Sequence, residues 1–175
     1  MRYPVKETEE KHQRILQEAS RLFRERGFKD VTVADVMKAA GLTHGAFYSH
    51  FNSKEALMAA ATDYGMENTL EGVKKNFATP AGRRAYLDRY LSTKHRDHPE
   101  TGCTMAALSN EIRREPEARD AFTARLKEIF AATGEERGEA ILTTATMVGA
   151  MMLARAVTDE AFSQEILKEV RERLA

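Results

Sequence analysis

The chain has little of what interrupts helices or builds sheets. Its 175 residues include four prolines and ten glycines, and runs of β-branched residues are missing, whereas alanine, leucine, glutamate, arginine and methionine are abundant. Because these five residue types form helices readily, the composition predicts an all-α protein with almost no strand. Apolar residues make up 42% of the chain, which is enough to build a core in one small domain and in a second body.

The small number of cysteines and the absence of long apolar runs indicate the cellular compartment. A single cysteine allows no intrachain disulfide, which agrees with a reducing compartment. No apolar stretch approaches the roughly 18 uninterrupted residues that a membrane span needs. Residues 1–14 also lack the apolar centre of a signal peptide. We therefore expect a cytoplasmic protein.

The chain as a whole has no net charge, because 27 basic residues balance 27 acidic ones. A nucleic-acid binder should show a basic footprint, so neutrality argues mildly against that class. However, residues 1–54 contain ten Lys and Arg against seven Asp and Glu, and residues 55–175 contain seventeen against twenty. Arg2 and Lys6 add to this N-terminal footprint, and we expect them on a disordered tail with some phosphate contact. Since each neutralised phosphate adds counterion release, two copies of the chain would be needed for useful affinity.

Residues 32–54 have the pattern of two short helices joined by a glycine turn. Thr32 and Asp35 form an S/T-x-x-D/E capping pattern at the start of the first helix, and Gly41 ends it. Thr43 is placed to cap the second helix. The spacing predicts an apolar face on the first helix formed by Val33, Val36, Met37 and Ala40.

Residues 43–51, which we call the recognition segment, divide into a buried and an exposed side. Phe47 and Phe51 are four residues apart and share one face, so we expect them in the core. The other side chains are left for display, and they match what a helix in the major groove of DNA needs. The predicted DNA contacts, including the two flanking helix starts, are Thr32, Thr43, His44, Gly45, Ala46, Tyr48, Ser49, His50 and Lys54.

Different positions suit different parts of DNA. His44, with Thr43, lies at the helix start that meets base edges, and the small Gly45 and Ala46 allow close approach to the groove. Tyr48, Ser49 and His50 carry donors that can reach phosphates. Lys54 and Thr32 lie at helix starts, where exposed N–H groups can bind phosphate. Each threonine or serine hydroxyl could equally serve only as a helix cap, and a lone histidine such as His50 is often a surface residue.

This region is similar to the DNA-binding motif of the TetR family of bacterial transcriptional regulators. The matching positions are Thr32, Val36, Met37, Ala40, Gly41, Leu42, Thr43, Gly45, Phe47, Tyr48, His50, Phe51, Ser53, Lys54, Glu55 and Leu57. The similarity extends upstream through residues 14–31, and so covers about a third of the chain with strong motif. It implies a three-helix DNA-binding domain in residues 1–54, a helical effector-binding and dimerisation domain in residues 55–175, and about nine helices in all.

Beyond residue 54 the apolar spacing predicts one helix after another. They are expected near 53–76, from Pro80 through Leu91, near 101–114, from Pro116 to a break at Gly134, near 135–157 and near 160–174. Residues 95–99, between two of them, are predicted to be a solvated polar loop.

The middle helices resemble the effector-binding body of the family. Aromatic residues and methionines there could line an adaptable apolar pocket, although ordinary core packing explains any one of them. The expected pocket residues are Phe77, Tyr86, Tyr90, Cys103, Met105, Phe122, Met147 and Met151. Cys103 lies near a predicted helix start and Arg96, where its thiol could react with electrophiles or oxidants, or could simply be a packed small residue.

The last two predicted helices each carry an apolar stripe. Either stripe alone could be intrachain core, but the pair resembles the helices that form a four-helix bundle with a two-fold mate in the family. The residues expected at a dimer interface are Ile141, Ala145, Val148, Gly149, Met152, Phe162, Ile166 and Val170. A dimer would place two recognition segments roughly 34 Å apart and so require a palindromic operator.

Two other functions, an enzyme and a protein-binding adaptor, fit the sequence less well than DNA binding. His95, Asp97, His98 and Glu100 cluster in sequence, but their spacing does not suit two metal ligands one helical turn apart, and no catalytic motif is present. A helical adaptor for other proteins would leave the recognition segment unexplained. The sequence therefore predicts a homodimeric DNA-binding regulator that responds to a small-molecule or electrophile effector, with no enzymatic activity and no cofactor or metal. The resemblance to the family further implies that it is a repressor, which the effector releases from DNA.

Overall fold

The computed structural model describes residues 5–174, and throughout that range the regular structure is helical, which confirms the all-α prediction. Nine α-helices follow one another: α1 (Val5–Arg26), α2 (Val33–Ala39), α3 (Lys54–Phe77), α4 (Pro80–Tyr90), α5 (Thr93–Asp97), α6 (Thr104–Ile112), α7 (Pro116–Ala132), α8 (Arg137–Ala156) and α9 (Glu160–Leu174). Two short 3-10 helices, His44–Ser49 and Pro99–Thr101, complete the described part.

Several helix boundaries lie where local chemistry predicts them. Thr32 and Asp35 form a reciprocal capping box: the Thr32 hydroxyl accepts from the Asp35 amide at 3.1 Å, and the Asp35 carboxylate accepts from the Thr32 amide at 2.9 Å. Thr79 caps α4 just before Pro80. After α2, Gly41 adopts φ 69°, a left-handed conformation that residues with a Cβ rarely take. Caps and turns of this kind depend on three or four adjacent residues, which is why sequence predicts them well.

The recognition segment differs from the predicted α-helix. Residues His44–Ser49 form a 3-10 helix, with the Ala46 amide donating to the Thr43 carbonyl at 3.1 Å, and the Thr43 side chain makes no capping bond. Short helices commonly take this tighter winding.

The predicted polar loop at residues 95–99 is wrong. Most of it belongs to α5, which Ser92 caps by accepting a hydrogen bond from the His95 amide at 3.2 Å. Lys6 lies within α1 and not on a preceding tail; Arg2 is outside the described residues. The loop prediction failed because it relied on polarity, and a short capped helix can be just as polar as a loop.

Two hydrophobic clusters hold the helices together. The first is centred on α1, α2 and the recognition segment, and it includes Phe23, Phe28, Phe47 and Phe51. It also takes in residues of α3, α6 and α7, so it extends past residue 54, where the sequence places the domain boundary. The second cluster lies among α3, α4, α6, α7, α8 and α9. We call α1, α2 and the recognition segment the head, and α4 to α9 the body. Since α3 supplies residues to both clusters, it connects the head to the body.

No helix among residues 5–174 is both long enough and apolar enough to cross a membrane.

Candidate functional site

The recognition segment is fixed to the head by its two phenylalanines. Phe47 is 1% exposed and Phe51 is 7% exposed, and their rings stack with centroids 5.8 Å apart. Phe51 also stacks on His12 of α1 at 4.8 Å. This confirms the core role that their four-residue spacing predicts. Because aromatic side chains bury large areas and prefer defined geometries, they hold the opposite side of the segment in a fixed position.

That opposite side is open to solvent. The exposed residues are Thr43, His44, Gly45, Tyr48 and Ser49. Tyr48 is 67% exposed, whereas large aromatic side chains are usually more buried. The Ser49 hydroxyl donates to the Ala46 carbonyl at 2.7 Å, and Ala46 itself is half-buried against the core. The structure thus places a hydroxyl, an imidazole and a phenol on one accessible surface.

His50 lies at the edge of this surface and is half-buried, with its ring 5.7 Å from that of His12. Burial, followed by the nearby His12 and Lys11, lowers the pKa of His50 below its ordinary value of 6.5. His50 is therefore neutral at pH 7, and it can both donate and accept a hydrogen bond there.

The two flanking helix starts also have internal partners. The Thr32 side chain is engaged in its capping box, although the residue is exposed. The Lys54 ammonium donates to the Phe28 carbonyl at 2.6 Å. Lys54 thereby ties the start of α3 to the turn after α1, in addition to lying next to the recognition segment.

A second connection reaches the same turn from the body. The Glu111 carboxylate on α6 accepts from the Phe28 amide at 2.7 Å. One helical turn earlier in α1, the Arg24 guanidinium donates to the Glu100 carbonyl through two nitrogens, at 3.2 and 2.8 Å. Neither link is predictable from the sequence, because the partners are 83 and 76 residues apart and no local pattern joins them.

A cavity of about 430 Å³, partly open to solvent, lies between the head and the body. We call it the Tyr90 cavity. It is lined by Arg24, Gly65, Asn68, Thr69, Gly72, Tyr86, Arg89, Tyr90, Ser92, Lys94, His95, Thr101, Gly102 and Cys103. Three of the expected pocket residues, Tyr86, Tyr90 and Cys103, are among them. Most of the lining residues carry a polar or basic group and none is a methionine, in contrast to the methionine-rich pocket that the sequence suggests.

The remaining expected pocket residues lie elsewhere. Phe77, Met105 and Met147 line a neighbouring void of about 20 Å³, which is room for about one water molecule. Phe122 and Met151 line neither space; Met151 is fully buried in the second cluster, and Phe122 packs against both clusters. Helical spacing identifies buried positions, but it does not distinguish a tightly packed core from the wall of a cavity.

Cys103 is buried on the wall of the Tyr90 cavity, at 6% exposure. Its amide donates to His95 Nε2 at 2.9 Å, so Nδ1 of the same ring carries the proton and donates to the Tyr90 carbonyl at 2.7 Å. Burial lowers the pKa of His95, which keeps this ring neutral.

The sequence predicts Arg96 near Cys103, but Arg96 does not line the cavity. Arg96 pairs with Asp97 and Glu160, whereas Arg24 lines the Tyr90 cavity together with Cys103.

An apolar face on α8 and α9 is exposed. Its large members are Ile141 at 42%, Leu142 at 58%, Met152 at 39%, Leu153 at 59% and Phe162 at 49% exposure. The α8 members lie along one side of the helix with Ala145, which is exposed, and Gly149, where an added Cβ would meet no atom within 4 Å. Val148, Ile166 and Val170, also expected at the interface, are half-buried against the second cluster. Several large apolar side chains exposed on one side of a helix are typical of an interaction surface.

The histidines and carboxylates of residues 95–100 do not form one cluster. His98 pairs with Glu100 at 3.0 Å, while Asp97 pairs with Arg96 at 2.7 Å. Within the described residues, no three His, Cys, Asp or Glu side chains come together in an arrangement that could hold a metal ion.

Comparison with known proteins gives matches concentrated in the head. The family model described as "Bacterial regulatory proteins, tetR family" matches residues 15–61. The uncharacterised HTH-type transcriptional regulator YerO of Bacillus subtilis is 39% identical over 72 residues, covering 39% of this chain and 25% of that protein. The HTH-type transcriptional repressor KstR2 of Rhodococcus jostii is 27% identical over 99 residues, covering 57% of this chain and 48% of that protein. The matched part thus spans between a quarter and a half of these two relatives.

Similarity to a solved structure extends over nearly the whole fold. A TetR transcriptional regulator from Chloroflexus aurantiacus superposes with a TM-score of 0.75 and 26% identity, and the match covers 97% of this chain and 94% of that one.

Proposed function

This chain is a TetR-family transcriptional regulator, and from that premise we propose that it is a homodimeric repressor. It binds a palindromic operator and dissociates when a small molecule occupies the Tyr90 cavity. It acts in the cytoplasm, where the DNA is. Repression is proposed by analogy with KstR2, which is described as a repressor.

The observation that carries the proposal is the division of the recognition segment. Phe47 and Phe51 are buried, while His44, Tyr48 and Ser49 are exposed on the other side. In a helix-turn-helix, the start of the recognition helix meets base edges and the flanking groups hold phosphates. We assign base contact to Thr43, His44, Gly45 and Ala46, and phosphate contact to Tyr48, Ser49, His50, Lys54 and the start of α2 at Thr32.

The exposed apolar face of α8 and α9 supports the dimer. Two such faces, packed about a two-fold axis, would cover Leu142, Leu153 and Phe162, which are the most exposed of its large side chains. The open space at Gly149 would let the helices of two copies approach closely. Dimerisation also doubles the modest basic footprint of the head, which strengthens DNA binding.

The position of the cavity supports control by a ligand. Its walls include Arg24 of α1 and Gly65 and Thr69 of α3, and α3 begins immediately after the recognition segment. A ligand that favours one position of α1 and α3 over another will bind the operator-competent and operator-released states with different affinity. That difference is the free energy that changes DNA binding.

The direct test is selection of genomic DNA fragments by the purified protein, followed by fluorescence anisotropy titration with the selected fragment and a shuffled one. We expect an inverted repeat and a preference of about a thousandfold or more over the shuffled DNA. Equal affinity for both fragments, or no binding, would rule out a sequence-specific regulator. Sedimentation of the complex should give two chains per operator.

A further inference from the structure

We infer that the ligand of the Tyr90 cavity is an organic anion, a carboxylate carried on an aromatic or similarly flat body. Arg24, Arg89 and Lys94 hold its charge, and the rings of Tyr86 and Tyr90 hold its body. The inference rests on the proposed function, because it names the chemical class of the effector.

The charge of the lining is of one sign. Three cationic side chains line the cavity, and no aspartate or glutamate is among the lining residues. His95, the fourth basic residue there, is neutral and already committed through both ring nitrogens. A concave site that is lined by positive charges and no negative ones attracts an anion, and it does so more strongly than an exposed surface would.

Arg24 is the most informative of the three cations. Its guanidinium donates hydrogen bonds to the Glu100 carbonyl and the Ser20 hydroxyl, both of which are uncharged. Within the described residues, no carboxylate lies within ion-pair distance of its guanidinium. Burial lowers the pKa of Arg24, because removing the cation from water penalises its charged form. A ligand carboxylate would supply the missing counter-charge, and the guanidinium fork fits a carboxylate well.

The other two cations come from α4 and α5, and both are exposed. Arg89 lies over the Tyr86 ring, 5.4 Å from its centroid, and Lys94 lies at the start of α5. No ion pair in the described part of the chain neutralises either of them. Both are therefore free to approach a ligand without breaking a contact with a protein carboxylate.

The aromatic part of the wall suits a flat ligand. Tyr86 and Tyr90 are close to parallel, with an interplanar angle of 25° and centroids 6.1 Å apart. The buried Tyr90 hydroxyl has only the Cys103 thiol, a weak hydrogen-bonding group, beside it, and the Thr104 hydroxyl, which lies against Gly65 of the wall, has no partner. Buried polar groups without a partner are costly, so a ligand that satisfies one of them gains affinity. A volume of about 430 Å³ is within the range of small-molecule sites.

The test is calorimetric titration of the full chain with 2-naphthoate, with its neutral analogue 2-naphthamide and with inorganic phosphate. We expect 2-naphthoate to bind at least about tenfold more tightly than either of the others, as one charge-assisted hydrogen bond supplies. Arg89→Gln and Lys94→Gln should each weaken 2-naphthoate about tenfold and leave 2-naphthamide unchanged. Arg84→Gln, an exposed arginine of α4 outside the cavity, is the matched control. Thermal unfolding of each variant verifies that it is folded.

Each outcome decides the inference. Equal affinity for the acid and the amide, a preference that survives both variants, or failure of 2-naphthoate to bind overturns it. Phosphate binding as tightly as 2-naphthoate overturns the aromatic body. Operator binding is measured separately. If the chain binds 2-naphthoate but no specific DNA, the ligand site stands and the proposed function is wrong. If it binds specific DNA but not 2-naphthoate, the proposed function stands and this ligand class is wrong.

Discussion

Glu111 and Phe28 join the body of the protein to its DNA-binding head through one hydrogen bond. The Glu111 carboxylate accepts from the Phe28 amide at 2.7 Å, while the Phe28 carbonyl accepts from the Lys54 ammonium at 2.6 Å. The turn after α1 is thus held from α6 on one side and from the start of α3 on the other. Gly27 makes this possible, because a Cβ there would lie 2.6 Å from a Glu111 oxygen. A movement of α6 can therefore reach the recognition segment without passing through the cavity.

Removing this link should loosen the head. We expect Glu111→Ala to lower the free energy of unfolding by about 1–3 kcal/mol, because it leaves the Phe28 amide without its partner. Glu111→Gln keeps an acceptor oxygen and should cost less. Urea unfolding followed by circular dichroism measures both changes. If Glu111→Ala and Glu111→Gln have the same stability as the original chain, the link does not stabilise the head.

Substitutions in the recognition segment should distinguish residues that contact bases from residues that contact phosphates. Tyr48→Ala should weaken binding to all DNA sequences alike, whereas His44→Ala should change which sequence is preferred. Loss of one base contact costs about 1–3 kcal/mol of discrimination. Anisotropy titrations with operators varied one base pair at a time measure both effects, with Glu117→Ala on the exposed side of α7 as the control. An unchanged preference in His44→Ala would show that His44 is not a base contact.

Substitutions at Gly149 should show whether the apolar face of α8 and α9 is a dimer interface. An added side chain meets nothing within its own chain, so Gly149→Ala should stabilise the monomer by about 0.5–1 kcal/mol through helix propensity. Gly149→Glu should leave the fold intact but prevent dimerisation, because it puts bulk and charge into the centre of the apolar face. Sedimentation velocity measures the oligomeric state, and Ala85→Asp on the exposed side of α4 is the control. A Gly149→Glu chain that remains dimeric would place the interface elsewhere.

His95 should make the body sensitive to mild acid. Its pKa lies below the ordinary 6.5, chiefly because of burial. As the pH falls below about 6.5, the unfolded chain therefore takes up the proton before the folded chain does. The stabilisation by neutral His95 is fully present above that pH and declines as the pH drops towards the lowered pKa. Protonation also removes the acceptor for the Cys103 amide.

The matching measurement is the thermal midpoint at about pH 7.5 and about pH 5.5. The original chain should lose more stability on acidification than His95→Gln, which does not titrate. His98→Gln is the control, since that side chain is 57% exposed. An equal loss in the original chain and in His95→Gln would mean that His95 makes no contribution.

The sequence by itself determined the helical fold and the organisation of the recognition segment. Caps such as that of Thr32 and Asp35, and the four-residue spacing of Phe47 and Phe51, involve neighbours along the chain. Local conformational preferences therefore make them predictable from the sequence. The same reasoning failed for the segment around His95, because polarity alone does not distinguish a solvated loop from a short capped helix.

Only the tertiary structure decided what surrounds the cavity and how the head is joined to the body. Arg24, Arg89 and Lys94 come from three different helices, and Glu111 reaches Phe28 across 83 positions. Helical periodicity indicates which side of each helix is buried, but not which long polar side chains from separate helices meet. Those meetings depend on how the helices pack against one another, and packing is a property of the whole folded chain.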